Sequence, residues 1–239
     1  MAERSRQESR EAFILHSYPY RETSLLLDVF AKGFGRVSMV ARAARSPRSV
    51  LRGVLLGFQP LALSWFGKGE VRTLARAEWI GGIPRLQGEA LMCGFYVNEL
   101  LLRLLPREDP HDVLFARYRD ALDRLATRGE SAPVLRTFER GLLKELGYAL
   151  TLERDSANGG AIEPAKSYRY DPERGPVEAN GAGSEGLVSG RTLLDMARDD
   201  YRDPVTQQQA KILMRTLLDH RLERQPLKSR RIFRDLLEL

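Results

Sequence analysis

The sequence predicts a multidomain α+β protein in which a small five-stranded β-barrel precedes an all-α helical bundle with an irregular insertion. Two observations predict this fold class. Before about residue 80, short apolar runs are separated by glycine-containing turns, and after it the apolar spacing changes from two to 3.6 residues. The 239 residues, 43% of them apolar, suffice for two ordinary cores. We therefore predict one domain over residues 1–80 and a helical domain over residues 81–239.

Five strands are predicted in the first domain. The turns at 32–35 and 67–69 carry the glycines that tight hairpins need at positive φ, so strands two and three pair, as do four and five. The connection 42–59 is too long for a hairpin loop, and its arginine-rich part is expected to be exposed and mobile. Such strands with one long basic connection fit an OB-fold barrel, whose loops and open face commonly hold single-stranded nucleic acid. The predicted strands cover residues 12–18, 24–30, 36–41, 60–66 and 72–79.

Helical periodicity begins at Leu86. The first predicted helix is apolar on several faces and ends at Pro106, as a buried central helix would. Asp109 and Pro110 form an N-cap and first-turn proline signal for a second helix. Ser131 can cap a third helix that ends before Gly147.

Two more helices are predicted after a less regular stretch. Asp203 and Pro204 again form a helix start signal, and residues 227–239 are typical of a short final helix. Between the third and fourth predicted helices, residues from about 153 to 190 contain many turn signals and little apolar mass. We expect a long, irregular and partly mobile insertion there.

The net charge of +6 arises entirely in the first third of the chain. Residues 1–80 contain 13 Lys and Arg against 7 Asp and Glu, whereas residues 81–239 contain 25 of each. From residue 29 to 69 there are seven cations and no Asp or Glu. A polyanion, most simply nucleic acid, is the predicted partner, because neutralising phosphates releases condensed counterions. An ordinary solvated charged face is the alternative.

Arginines at 42, 45, 48 and 52 recur every three or four residues, so a helical turn would place them on one side. Guanidinium groups bind phosphates with two parallel hydrogen bonds. Most aromatic residues of a small barrel belong to its core, and we expect Phe34, in its hairpin turn, to reach solvent and stack on bases. The predicted nucleic-acid-binding residues are Lys32, Phe34, Arg36, Arg42, Arg45, Arg48 and Arg52.

A second basic concentration lies near the C-terminus. It could extend a nucleic-acid track or receive an acidic protein tail. Its members are Arg221, Arg224, Lys228, Arg230, Arg231 and Arg234.

No pattern of residues in the sequence indicates a catalytic site or a cofactor-binding site. Residues 181–186 match a dinucleotide fingerprint as a string, but no buried strand precedes them and no helix follows. Three scattered histidines and the single Cys93 offer no spacing for a structural metal, and Cys93 is interpreted as a core residue. We predict a protein that is not an enzyme and that has no cofactor. With no signal-like N-terminus and no long apolar stretch, it is expected in the cytoplasm, off the membrane.

Several segments resemble the RecO family of bacterial recombination mediators. They are AFILHSYPYRETS at 12–24, KGFGR at 32–36, VARAAR at 40–45, LRG at 51–53 and LKSRR at 227–231. The resemblance covers essentially the whole chain. It implies an OB-fold domain and a helical domain that bind single- and double-stranded DNA, anneal complementary strands and help to load the recombinase RecA onto DNA coated by single-strand binding protein.

The resemblance also implies partners and a location. RecR and the acidic C-terminal tail of single-strand binding protein are the implied protein partners, RecA is an indirect one, and the cytoplasmic protein would associate with the nucleoid. Many members carry a four-cysteine zinc site in the insertion, but residues 152–190 of this chain contain no cysteine, so no metal is expected. The tail would bind a groove on the helical domain flanked by arginines. Candidates for that groove are Arg117, Arg124, Arg128, Arg136 and Arg140.

Three other functions remain open on the sequence. An OB-fold protein that binds RNA or the ribosome would use the same phosphate contacts. An interaction scaffold would use the basic segment to bind acidic proteins instead of nucleic acid. An enzyme that holds a cofactor in the glycine-rich insertion is the least supported of the three.

Overall fold

The computed structural model describes residues 6–127, 130–179, 186–223 and 225–237. Packing divides the chain into two compact units. The barrel unit comprises Met1–Gly129 with Leu227–Leu239, and the second unit comprises Glu130–Pro226. The barrel unit therefore includes the barrel, the helices that follow it directly and the C-terminal helix. The domain boundary near residue 80 stays a prediction.

A closed five-stranded barrel forms the first part of the barrel unit. Neighbouring strands follow the order β1-β2-β3-β5-β4, and β1 pairs with both β2 and β4. All pairs are antiparallel except β3 with β5, which is parallel. The predicted OB-like barrel and both predicted hairpins are confirmed. The strands are β1 (Arg6–Tyr20), β2 (Ser24–Ala31), β3 (Gly35–Ala41), β4 (Leu61–Phe66) and β5 (Val71–Trp79).

Strand alternation separates the two faces of the barrel wall. Leu27, Val29, Val37 and Met39 lie in the interior core, together with residues from β1, β4 and β5. The other face of β1 and β2 is partly covered by the helices that follow. The Phe13 ring lies 5.1 Å from the Tyr118 ring, in an edge-to-face arrangement. The pattern of alternate apolar residues thus produces one core inside the barrel and a second against a helix.

Two helices follow the barrel in the same unit, α2 (Gly88–Leu104) and α3 (Asp112–Thr127). Cys93 is buried on α2, as predicted. A buried polar bridge joins the helices to β1: the Asn98 side-chain amide donates to the Leu15 carbonyl at 2.8 Å, and the Tyr118 hydroxyl donates to Asn98 Oδ1 at 2.6 Å. Burial raises the pKa of Tyr118 despite the hydrogen bond to Asn98. The bridge matters because a buried polar group without a partner is costly.

The predicted start of α3 at Asp109 and Pro110 is wrong, since the helix begins at Asp112. The preceding residues run beside β3, where the Glu108 amide donates to the Arg36 carbonyl at 3.0 Å. Asp112 in turn accepts a 2.7 Å hydrogen bond from the Gly33 amide. This stretch therefore follows the β2–β3 hairpin, with a turn at Glu108, and the helix forms only after it.

The C-terminal helix α7 (Lys228–Leu237) is attached to α2 by one carboxylate. Glu99 accepts hydrogen bonds from the Lys228 amide at 2.9 Å and from the Ser229 amide and hydroxyl at 2.8 and 2.6 Å. Burial would raise the pKa of Glu99, but the hydrogen bonds from Ser229 and Lys228 outweigh it and hold the pKa below 4.5. A carboxylate at a helix N-terminus satisfies amides that the helix itself cannot.

Replacing Glu99 by Gln should loosen α7, because an amide cannot accept from all three donors. We expect backbone amides of α7 to exchange roughly 5- to 30-fold faster, equivalent to a capping loss of about 1–2 kcal/mol. Because the pKa of Glu99 is lowered on folding, this stabilisation is complete above pH 4.5 and is lost as pH falls through the folded value. The exchange ratio of variant to wild type should therefore approach one in acid. Glu22→Gln, in an exposed turn, is the control, and an equal effect there would contradict the assignment.

The described residues of the second unit form three helices and a small sheet. The helices are α4 (Ser131–Glu145), α5 (Gly190–Ala197) and α6 (Pro204–Arg221). The predicted start of α6 is confirmed, since Asp203 Oδ1 accepts from the Val205 amide at 2.9 Å. The predicted cap of α4 is wrong, since Ser131 is its first residue and Glu130 occupies the cap position without a side-chain hydrogen bond.

The predicted irregular insertion contains a three-stranded antiparallel sheet in the order β7-β6-β8. The strands are β6 (Ser167–Asp171), β7 (Gly175–Glu178) and β8 (Leu187–Ser189). Buried Asp155 ties this region together: its carboxylate accepts from the Ala157 amide at 2.7 Å and from the Glu178 amide at 3.1 Å. The strands were missed because they have three to five residues and little apolar mass. Within the described ranges, no group of three or more His, Cys, Asp or Glu is placed to hold a metal ion.

None of the helices in the described part of the chain combines the length and apolarity that a membrane crossing requires.

Candidate nucleic-acid interface

Two segments that carry arginine meet at one end of the barrel. One is the β1–β2 turn, residues 21–23, and the other begins where β3 ends. Leu25 pairs with Ala41 at this end, and the Arg45 amide donates to the Thr23 carbonyl at 2.7 Å. Cations of both segments therefore share one end of the barrel, which we call the basic end.

The segment after β3 has a defined path. Ala44 is buried in the barrel core, and hydrogen bonds from the Ser46 amide to the Ala43 carbonyl and from the Ser49 amide to the Ser46 carbonyl form successive turns. The short helix α1 (Leu51–Val54) follows, and both of its terminal residues pack against the core. These apolar contacts hold the segment against the barrel and leave its charged side chains outside.

Four exposed arginines project from this segment, and none makes an ion pair or side-chain hydrogen bond with another described residue. We call them the loop arginines. They are Arg42, Arg45, Arg48 and Arg52. Arg21 lies at the same end, with its guanidinium 5.2 Å from the centre of the Tyr20 ring. Unpaired guanidinium groups at the surface are suited to phosphate, since no carboxylate must first be displaced.

The other predicted binding residues lie at the opposite end of the β2–β3 hairpin, about 20 Å away along β3. Lys32 is exposed in the hairpin turn. Phe34 is half-buried rather than exposed: its ring packs edge-on against Trp65 at 5.1 Å, and the Arg10 guanidinium lies 5.7 Å from it. The structure therefore does not bring all seven residues together.

Arg36 is held by the protein itself. Its Nε donates to the Leu105 carbonyl at 3.0 Å, and its side chain lines an open pocket with Ser38 and Arg107. Burial lowers the pKa of Arg36; nearby Asp28 opposes this and Arg107 adds to it. Arg36 thus attaches the segment that follows α2 to β3. The residues next to Arg36 in the sequence do not predict this role.

The sequence prediction did not include two aromatic residues that lie on β1 beside the basic end. His16 and Tyr18 are exposed on the strand, and their ring centres lie 4.2 Å apart. The signal was present in the alternation of His16, Tyr18 and Tyr20 at period two, which places the three side chains on one face of a strand.

The arginines predicted to bind an acidic tail lie in different units. Half-buried Arg117 and Arg124 belong to α3, where Arg124 pairs with Asp120 at 3.4 Å. In the second unit Arg136 is buried and pairs with Glu139 at 2.6 Å, and Arg140 pairs with Asp199 at 2.9 Å. Arg128 lies outside the described residues.

The C-terminal basic residues also divide between the units. In the second unit the Arg221 guanidinium lies 3.7 Å from the Tyr148 ring. In the barrel unit Lys228 and Arg231 are exposed, and Arg230 lies 5.5 Å from the Tyr96 ring. Arg224, the side chain of Arg234 and most of the glycine-rich stretch 181–186 lie outside the described part of the structure.

Comparison with known proteins covers nearly the whole chain. The family model described as "Recombination protein O N terminal" matches residues 5–83, and "Recombination protein O C terminal" matches residues 85–231. A protein named DNA repair protein RecO from Nitrosospira multiformis is 52% identical over 239 residues, covering 99% of both chains. Proteins of the same name from Aromatoleum aromaticum and Dechloromonas aromatica are 51% and 52% identical over 241 residues, covering 100% and 99% of each chain.

Proposed function

This chain belongs to the RecO family of DNA repair proteins, and we propose that it acts in recombination as a DNA-binding mediator rather than as an enzyme. In this proposal it binds single- and double-stranded DNA, anneals complementary strands and helps to load RecA onto DNA coated by single-strand binding protein. The observation that supports it most directly is the group of four exposed loop arginines at the basic end, which pair with no other residue in the described part of the chain.

Annealing requires two strands to approach while their bases stay free to pair. Cations that contact only phosphates reduce the repulsion between strands and leave the base edges open. The loop arginines and Arg21 can do this without a nucleotide cofactor, since binding releases condensed counterions. Lys32 and Arg36, at the other end of the hairpin, would extend the contact to a longer strand, with Phe34 supporting the turn.

We further propose RecR and the acidic C-terminal tail of single-strand binding protein as partners, with RecA contacted indirectly. In the second unit Arg136 and Arg140 both influence Tyr201, whose pKa is raised by burial. An acidic peptide would have to displace the Glu139 carboxylate from Arg136 or the Asp199 carboxylate from Arg140, so Arg140, the less buried of the two, is the better candidate for this contact. The C-terminal basic residues are a second candidate for DNA or for this tail. These proposed activities on DNA would place the protein in the cytoplasm, at the nucleoid.

The first test is fluorescence anisotropy of a labelled single-stranded oligonucleotide, titrated with the full chain at several salt concentrations. We expect log K to fall linearly with log salt, and a complementary strand added without ATP to anneal faster than in protein-free controls. RNA of the same sequence and an acidic peptide serve as competitors. Absence of DNA binding even at low salt would overturn the proposal, and stronger competition by RNA or by the peptide would favour the RNA-binding or scaffold function.

A further inference from the structure

The outer face of β1 carries three aromatic side chains in a row, which we call the β1 strip: His16, Tyr18 and Tyr20. The register fixes this face. His16 pairs with Asp28, and Asp28 pairs with Ser38, whose hydroxyl donates to the Asp28 carboxylate at 2.8 Å. Since cross-strand partners share a face and Leu27 and Met39 occupy the barrel core, the strip lies on the outside of the barrel wall.

His16 and Tyr18 are exposed, Tyr20 is half-buried, and neighbouring side chains support the strip from the side. Tyr18 is 44% exposed, although most large apolar side chains of the barrel are buried. Its cross-strand neighbours Leu26 and Val40 are half-buried, and its ring contacts that of His16. The ring is therefore held in place on a β-strand with one side open to solvent. Such a preorganised ring loses little freedom when another flat group packs on it.

The charges beside the strip suit a strand of nucleic acid. At one end, Tyr20 is followed directly by Arg21, whose guanidinium covers its ring, and the basic end lies next to it. At the other end, Arg36 is close enough to influence Tyr18 electrostatically. The Asp28 carboxylate in between is buried and occupied by Ser38. Burial, together with Asp28, raises the pKa of Tyr18. A tyrosine hydroxyl is already uncharged near neutral pH, so it does not repel phosphate.

We infer that the β1 strip is a stacking site for unpaired bases, with Tyr18 as its central ring, and that it favours single strands over duplex. The inference rests on the proposed DNA binding and adds to it the part of the strand that the protein recognises. Bases of a duplex are already stacked on each other, whereas an unpaired base offers a free face to an aromatic ring. Every base has such a face, so binding here would tolerate any sequence.

Three substitutions of Tyr18 test the inference in the full chain. Tyr18→Ala should weaken binding of a single-stranded oligonucleotide by about 5- to 100-fold. Tyr18→Phe, which keeps the ring, should stay within about twofold of wild type. Tyr18→Leu, which keeps apolar bulk without an aromatic face, should behave like Tyr18→Ala. Duplex affinity and the slope of log K against log salt should not change in any of them, because no phosphate contact is removed. Thermal melting verifies that each variant is folded.

The outcomes separate the strip from the basic end. If Tyr18→Ala lowers affinity for single strands and duplex equally, or for neither, the strip is not a stacking site and the proposed DNA binding by the loop arginines stands. If Tyr18→Leu binds like wild type, apolar contact rather than stacking is responsible, and the inference is overturned. If wild type binds no DNA, both proposals fall together.

Discussion

Replacing all four loop arginines by alanine is expected to flatten the slope of log K against log salt by about 2.8 for single strands and about 3.6 for duplex. The physical reason is counterion release: each phosphate contact contributes about 0.7 to the slope on a single strand and about 0.9 on duplex. Between 50 and 200 mM salt, four contacts correspond to roughly 50-fold and 150-fold of affinity respectively. The loop arginines should carry this dependence because they are exposed and have no described carboxylate partner.

The charge-matched control removes four exposed arginines of the second unit, Arg191, Arg198, Arg202 and Arg215. It changes the net charge equally, but three of these arginines pair with carboxylates. Salt-dependent anisotropy with a single-stranded and a duplex probe measures both slopes. If the control flattens the slope as much as the loop variant, overall charge is responsible and not the basic end. An unchanged slope in the loop variant rejects these four contacts outright.

Gly35→Ala should destabilise the protein by about 2–5 kcal/mol and lower its melting temperature by roughly 5 to 20 °C. Gly35 has φ +70°, and a Cβ at this position would lie 2.0 Å from the Asp109 carbonyl oxygen. The substitution therefore combines left-handed backbone strain of about 1–2 kcal/mol with overpacking of about 1–3 kcal/mol. The second cost arises because the chain after α2 lies directly against the hairpin, where Glu108 is hydrogen-bonded to Arg36.

Gly33→Ala is the matched control in the same turn. Its φ is +76°, but a Cβ there meets nothing within 4 Å, so only the backbone strain should appear. Thermal and denaturant unfolding of both variants gives the difference between them. Equal losses would show that the close approach of Asp109 does not matter. Because the loop arginines lie at the other end of β3, folded Gly35→Ala protein should keep wild-type salt dependence of DNA binding.

Much of the fold could be predicted because its signals are local. The turns at 32–35 and 67–69 need glycine for their own backbone angles, and Gly33, Gly35, Gly67 and Gly69 all have positive φ. Asp203 caps α6 through a contact two residues away. By contrast, the sheet of β6, β7 and β8 depends on Asp155 reaching the Glu178 amide, a contact across 23 residues that no window of sequence reveals.

The candidate site also divides into features with local sequence signals and features that depend on contacts between distant residues. Charge counts alone predicted exposed arginines between residues 42 and 52, since a run of cations without carboxylates cannot be buried. Phe34 was predicted to be exposed from its position in a turn, but Trp65, which lies on β4, covers part of its ring. The β1 strip was missed because period two shows which residues share a face and not which face the helices leave uncovered.

The sequence by itself determined the barrel strands, both hairpins, the start of α6 and the location of the charge. Each depends on backbone angles or side-chain types within a few residues. Only the tertiary structure decided that Gly35 must also accommodate Asp109, that Arg36 binds the Leu105 carbonyl, and that Glu99 holds α7. The physical reason is distance along the chain: these contacts join residues 69 to 130 positions apart, and they exist only once the barrel and its helices are packed.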